Sequence, residues 1–112
     1  MEINEKIHIE EYNPEWVRRY GYEKEKLCNT LGNTVLDIEH IGSTSIPRVW
    51  AKPIIDIMIG VKSLPLEKSL IDKVIELGYE NLGEAEVSGR IYFRKRFPKA
   101  YNVHITQFGS LI

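Results

Sequence analysis

The sequence predicts an α+β domain: a mixed β-sheet with helices packed on it. Three observations carry this. Two stretches repeat apolar residues at helical spacing, five others read as strands, and the two kinds interleave as β-α-β-β-α-β-β. The length of 112 residues suits one domain, so residues 1–112 are taken as a single unit.

Residues Lys6 to Glu10 alternate Ile7 and Ile9 with polar neighbours, which predicts a short strand. Asn13-Pro14-Glu15 then reads as a helix start. Asn13 can cap, Pro14 suits the first turn, and Glu15 favours the positive end of the helix dipole. Trp16, Tyr20, Leu27 and Leu31 share one helical face, and Gly32 is a natural stop, so a helix is expected over Glu15–Leu31. Val35 to Ile41 predicts a strand ending at Gly42. Ile54 to Val61 predicts a second, nearly all apolar, as for a central strand covered on both faces.

Ser63-Leu64-Pro65 is expected to open the second helix. Its apolar face is Leu66, Leu70, Val74 and Leu77, and Gly78 ends it. Arg90 to Arg96 alternates, with Ile91, Phe93 and Lys95 on one side and the arginines with Tyr92 on the other. Tyr101 to Phe108 predicts the last strand, with Val103, Ile105 and Gln107 on one side and Asn102, His104 and Thr106 on the other. Two helices must cover about five strands, and the chain given stops at Ile112. Apolar surface around Val103 and Ile105 is therefore expected to remain open and to support a two-fold homodimer.

Composition narrows the function. Lys plus Arg is 15 and Asp plus Glu is 16, a net charge of −1. General nucleic-acid binders carry a large positive excess, and this chain does not. A single cysteine, Cys28, forbids an internal disulfide and fits a reducing compartment. Met1 to Lys6 shows no cationic segment leading into an apolar one, and Ile54 to Val61 is far short of the roughly 20 residues that span a bilayer. The expectation is a cytoplasmic protein without a membrane partner.

Chemistry concentrates between Glu39 and Ile59. A strand runs into Gly42-Ser43-Thr44, where small residues let the backbone approach a ligand and offer N–H and hydroxyl donors, a candidate phosphate cradle. Asp56 follows inside an apolar strand, where a carboxylate is costly unless paired or bound to a metal. Lys52 and Arg48 lie between them as candidate phosphate partners. An ordinary turn and a structurally paired Asp56 remain the plain alternatives.

The strings Tyr12-Asn13-Pro14-Glu15-Trp16, His40-Ile41-Gly42-Ser43-Thr44-Ser45-Ile46-Pro47 and Ala51-Lys52-Pro53-Ile54-Ile55-Asp56-Ile57 resemble the GrpB family over about Ile7 to Gly109. Gly-Ser, a spacer and Asp in an apolar strand also resemble the nucleotidyltransferase superfamily, with its DNA polymerase β-like fold. The resemblance implies a nucleotide or coenzyme-like substrate, since some GrpB-like domains are fused to dephospho-coenzyme A kinase. It implies Mg2+ on Asp56, phosphates on Gly42, Ser43, Thr44 and Lys52, and a site role for Asp56 and His104. The chain departs from that pattern in two places. Met58 stands where the superfamily has its second acid, and Asn102 stands where GrpB proteins often have the first of two histidines. Family members also continue into further helix beyond this strand. Three functions fit: a Mg2+-dependent nucleotidyltransferase, a nucleotide-binding module without turnover, and a protein-interaction subunit. His104 fits either a site or a hydrogen bond inside the fold. The Arg90, Arg94, Arg96 stripe reads either as a solvated face or as a contact for a triphosphate or an RNA strand, which makes Arg94 a further candidate phosphate partner.

Overall fold

The computed structural model describes residues 8–84 and 89–109. Helix α1 spans Glu15–Leu31 and α2 spans Lys68–Glu76. The strands are β1 (Val35–Ile41), β2 (Ile54–Val61), β3 (Glu80–Asn81), β4 (Arg90–Lys95) and β5 (Ala100–Gln107). The sheet order is β1-β2-β5-β4-β3. Strands β2 and β5 pair in parallel, and every other neighbouring pair is antiparallel. The chain is thus the expected α+β domain with a mixed sheet.

Local signals explain α1. Asn13 Oδ1 accepts the Glu15 N–H at 2.9 Å, and Pro14 already has helical angles (φ −57°, ψ −21°). At the other end Gly32 takes φ +60° and donates its N–H to Cys28 O. Trp16, Glu23, Leu27 and Leu31 form the buried face.

Strand β2 lies between β1 and β5 but, among the described residues, is covered by helices on one face only. Ile55, Ile57, Ile59 and Val61 are fully buried, whereas Ile54, Asp56 and Met58 are half-buried on the other face. The reading of β2 as covered on both faces is corrected accordingly: its alternate positions carry a carboxylate and a thioether that still reach solvent.

The expected apolar patch on β5 is also absent. Val103 and Ile105 are 0% exposed, packed in the same core as Trp16, Leu27, Phe93 and Val74. Both helices lie against this face and touch each other, so two suffice to cover it. The face without helices is the polar one, carrying Asp56, Asn102, His104, Tyr92 and Arg94.

Three boundaries differ from expectation. Residues 6–7 of the first predicted strand lie outside the described residues, and Glu10 forms only an isolated bridge with Ala51. Helix α2 starts at Lys68, after an extended Glu67, because Leu66 is inserted into the core before the chain turns. Strand β3, two exposed residues paired to β4, has no apolar pattern to announce it.

A cluster of three polar side chains sits inside the core. Lys95 Nζ is 2.7 Å from Glu23 Oε2, and Tyr79 Oη donates to the same oxygen at 2.7 Å. Lys95 also lies over the rings of Tyr79 and Tyr101. Burial, then the Glu23 carboxylate, pushes the Tyr79 hydroxyl far up, so it stays a donor.

Candidate functional site

The site is built where β1 hands over to β2. Ile41, the last residue of β1, pairs in register with Asp56. Gly42 then takes φ +78° and ψ −174°, a conformation closed to most residues with a side chain. This turns the chain into a single 3-10 turn, Ser43–Ser45. Gly42 O accepts from Ser45 N–H at 3.1 Å and from Ser45 Oγ at 2.6 Å.

Thr44 locks the turn to β2. It is 1% exposed, and its hydroxyl donates to Ile54 O at 3.4 Å. With that proton committed, Thr44 Oγ1 accepts from His40 Nε2 at 3.0 Å, which assigns the His40 proton to Nε2. The His40 ring stacks on Tyr20 of α1 at 4.8 Å. Burial lowers the His40 pKa against the smaller, opposing pull of Asp56, so the ring stays neutral.

Asp56 is held from the other side by β5. Its Oδ1 accepts from Asn102 Nδ2 at 2.9 Å. Asn102 is oriented in turn by Tyr92 Oη at 2.9 Å and Arg96 Nη1 at 3.2 Å, both donating to its Oδ1. Two residue pairs further along, on the same face, His104 stands beside Met58. Arg90 Nη1 lies 3.0 Å from His104 Nδ1, and a guanidinium can only donate, so the His104 proton sits on Nε2. That nitrogen is 4.0 Å from Asp56 Oδ1. Burial and then Arg90 lower the His104 pKa, outweighing Asp56, and the ring stacks on Tyr92 at 5.0 Å.

The result is a cleft of about 310 Å³ lined by Ser43, Thr44, Lys52, Asp56, Asn102 and their neighbours. Four of the sequence-predicted site residues, Ser43, Thr44, Lys52 and Asp56, line it, and Gly42 abuts the Asp56 carboxylate. His104 stands behind Asp56 and does not line the cleft. Arg94 is not brought in: it pairs with Glu80 at 3.2 Å, across Asn102 from Asp56. Arg48, at φ +72° in an exposed loop, does not line the cleft either. Asn102 and His40 hold the candidate site in place, and sequence reasoning left both out of it. The signal for Asn102 is its place on the polar side of an alternating strand. The His40–Thr44 pair, four residues apart across a turn, has no helical or strand periodicity to reveal it.

The donor set bears on metal binding. Among the described residues no three His, Cys, Asp or Glu side chains gather as a metal group. Among the described residues Asp56 is the one carboxylate in the cleft lining, and Met58 occupies the next position on that face of β2.

Residues 6–111 match the family model described as GrpB protein. The chain belongs to the GrpB family. It is 39% identical over 106 residues to the UPF0157 protein YqkA of Bacillus subtilis, covering 94% of this chain and 31% of that one. The crystal structure of conserved protein GrpB from Enterococcus faecalis superposes with a TM-score of 0.86 at 40% identity, covering 92% of this chain and 63% of that one. A segment of the dephospho-CoA kinase of Mycobacterium leprae is 36% identical over 76 residues, 62% of this chain and 18% of that protein. The chain thus spans less than two-thirds of each of these relatives. No described helix is long and apolar enough to cross a membrane.

Proposed function

We propose that this GrpB domain binds a phosphate-bearing small molecule, a nucleotide or a coenzyme-like compound, in the cleft between the Gly42–Thr44 turn and Asp56. The observation that carries the reading is the meeting of a glycine turn, Lys52 and a held carboxylate in one cleft. The turn offers backbone N–H groups to phosphate oxygens. Lys52 adds a point charge. The likeness to a segment of a dephospho-CoA kinase favours the nucleotide or coenzyme class.

Mg2+ fits this donor set in a limited way. The ion needs only one or two protein carboxylates when substrate phosphates and water fill its other positions. Asp56 would supply the protein's share, and the ion would neutralise phosphate charge. A two-metal arrangement has too few acids here, because Met58 replaces the second carboxylate. Binding without turnover is therefore the first reading.

Transfer of a nucleotidyl group, on a nucleotidyltransferase-like fold, is the second. The proton on His104 Nε2, 4.0 Å from Asp56 Oδ1, favours it, since an N–H dipole behind the carboxylate would help hold Asp56 charged for a metal ion.

Melting curves with nucleoside mono- and triphosphates and coenzyme A precursors, each with and without Mg2+, test the reading. A ligand at a hundred times its dissociation constant adds about 2.7 kcal/mol of stability. Asp56→Asn should remove the Mg2+-dependent part, and Lys52→Ala should weaken binding with or without the metal. No calorimetric heat from any of these compounds at millimolar concentration would overturn the proposal.

A further inference from the structure

The cleft does not end at Lys52. Lys52 and Ile54 also line a hollow of about 120 Å³ that runs over Pro53 and Ala100, at the starts of the parallel strands β2 and β5. Pro53 and Ala100 in turn line a basin of about 450 Å³ beside the N-terminus of α1. Cleft, hollow and basin share wall residues, so they lie side by side along the starts of β2 and β5.

The basin wall carries three cations, Arg19, Arg96 and Lys99, and two carboxylates, Glu10 and Glu15. The carboxylates are already engaged: Glu10 Oε2 lies 2.8 Å from His8 Nε2, and Glu15 is bonded to Arg18. Arg19 and Lys99 are not matched in the same way. Among the described residues, neither Arg19 nor Lys99 has a carboxylate partner. Arg19 is fixed by neutral groups, donating to Ala100 O at 2.9 Å and Pro53 O at 3.3 Å, with Tyr101 under its guanidinium at 5.1 Å. Its Nε is buried without a hydrogen-bond partner. A partly buried guanidinium held by dipoles, with no carboxylate in contact with it, favours an incoming anion, and its planar shape suits phosphate.

Basin and cleft are also mechanically joined. Arg96 Nη1 donates to Asn102 Oδ1 at 3.2 Å, and Asn102 Nδ2 holds Asp56 at 2.9 Å.

We propose that the basin is a second anion subsite, and that the ligand of this domain carries two separated phosphate groups. One sits at the Gly42–Thr44 turn with Lys52, and the other sits among Arg19, Arg96 and Lys99. The two-phosphate ligand rests on the phosphate reading of the cleft, while the basin can be tested by itself.

Adenosine 5′-monophosphate and adenosine 3′,5′-bisphosphate are the probes, titrated with Mg2+ and followed by calorimetry and backbone amide shifts. The bisphosphate should bind at least about tenfold more tightly, one order in the dissociation constant. It alone should shift the Lys99 and Ala100 amides, and both probes should shift Gly42 to Thr44. Lys99→Ala, an exposed change that leaves the core intact, should erase most of the bisphosphate's advantage and leave monophosphate binding unchanged. Equal affinities with unmoved Lys99 and Ala100 amides would overturn the subsite and leave the cleft reading standing. If neither nucleotide binds, the cleft reading and the two-phosphate ligand fall together. Inorganic phosphate then decides the basin: shifts at Lys99 and Ala100 support it as an anion site, and silence there overturns it.

Discussion

A Cβ on residue 42 would lie 2.7 Å from Oδ2 of Asp56, closer than any side-chain contact tolerates. Gly42 therefore does two things. It adopts the angles that bend β1 into the turn, and it leaves room for the carboxylate to lie against that turn.

Gly42→Ala should accordingly lose both. The backbone conformation alone costs about 1–3 kcal/mol for a residue with a side chain. The added methyl must also push Asp56 off the turn, against its bond to Asn102. Urea unfolding should show a lower midpoint with an unchanged slope, and any Mg2+-dependent ligand stabilisation should vanish. A variant with wild-type stability and binding would show that the contact is relaxed at no cost.

The Lys95–Glu23 pair makes a second, independent prediction. Lys95→Met leaves the Glu23 carboxylate buried with only Tyr79 and the more distant, exposed Lys26 for company. Removing one partner of a buried pair typically costs about 3–5 kcal/mol. Replacing all three polar groups together, Glu23→Leu, Lys95→Met and Tyr79→Phe, should bring the unfolding midpoint back close to wild type. A mild single variant and a severe triple one would reverse the argument.

These two cases also mark what the sequence could disclose. Helix α1 and strand β5 were legible because each is long and keeps one period from end to end, and β2 was legible as an apolar run, although that run hid which of its faces is open. The buried pair was half legible. Lys95 alternates with Ile91 and Phe93 on the inward side of β4, and Glu23 falls between Tyr20 and Leu27 on the inward stripe of α1, but nothing local says that the two charges meet. Asp56 and the Gly42 turn were legible as neighbours because they belong to consecutive strands. The contact of Asp56 with Asn102 was not, because it depends on β5 inserting parallel to β2. The basin was least visible of all. Arg19, Arg96 and Lys99 come from a helix and a loop far apart in sequence, and each alone reads as a solvated surface charge.

Acid should weaken the fold through the two site histidines. Both have pKa values below the ordinary histidine value of about 6.5, chiefly from burial. Between the lowered folded value and 6.5 the unfolded chain binds more protons, so stability rises with pH in that window. It is complete above about pH 6.5 and is lost as the pH falls through the folded values. His40→Gln keeps an amide N–H able to donate to Thr44 Oγ1 and removes the titration. Unfolding midpoints measured from pH 7.5 down to about pH 5 should therefore fall less steeply in the variant than in wild type. Parallel slopes would assign the acid sensitivity elsewhere.

Met58→Asp gives the most direct reading of what Asp56 faces. Position 58 lies two residues beyond Asp56 on the same face of β2, in register with Glu39 on one side and His104 on the other. A carboxylate there would stand near Asp56 and repel it, so the metal-free variant should be less stable than wild type. The same repulsion is relieved by a divalent cation that both carboxylates can share. Magnesium should then stabilise Met58→Asp far more than it stabilises wild type. Calorimetry without nucleotide should show at least about a tenfold gain in Mg2+ affinity. Asp56→Asn in the Met58→Asp background should remove that gain, because the remaining carboxylate has lost its partner. A variant that is destabilised but gains nothing from Mg2+ would mean that the Asp56 carboxylate, held between Gly42 and Asn102, is turned away from any position a metal could occupy. In that case Lys52 and the turn would have to bind phosphate without a metal, and the magnesium part of the proposal would fall while the anion site remained.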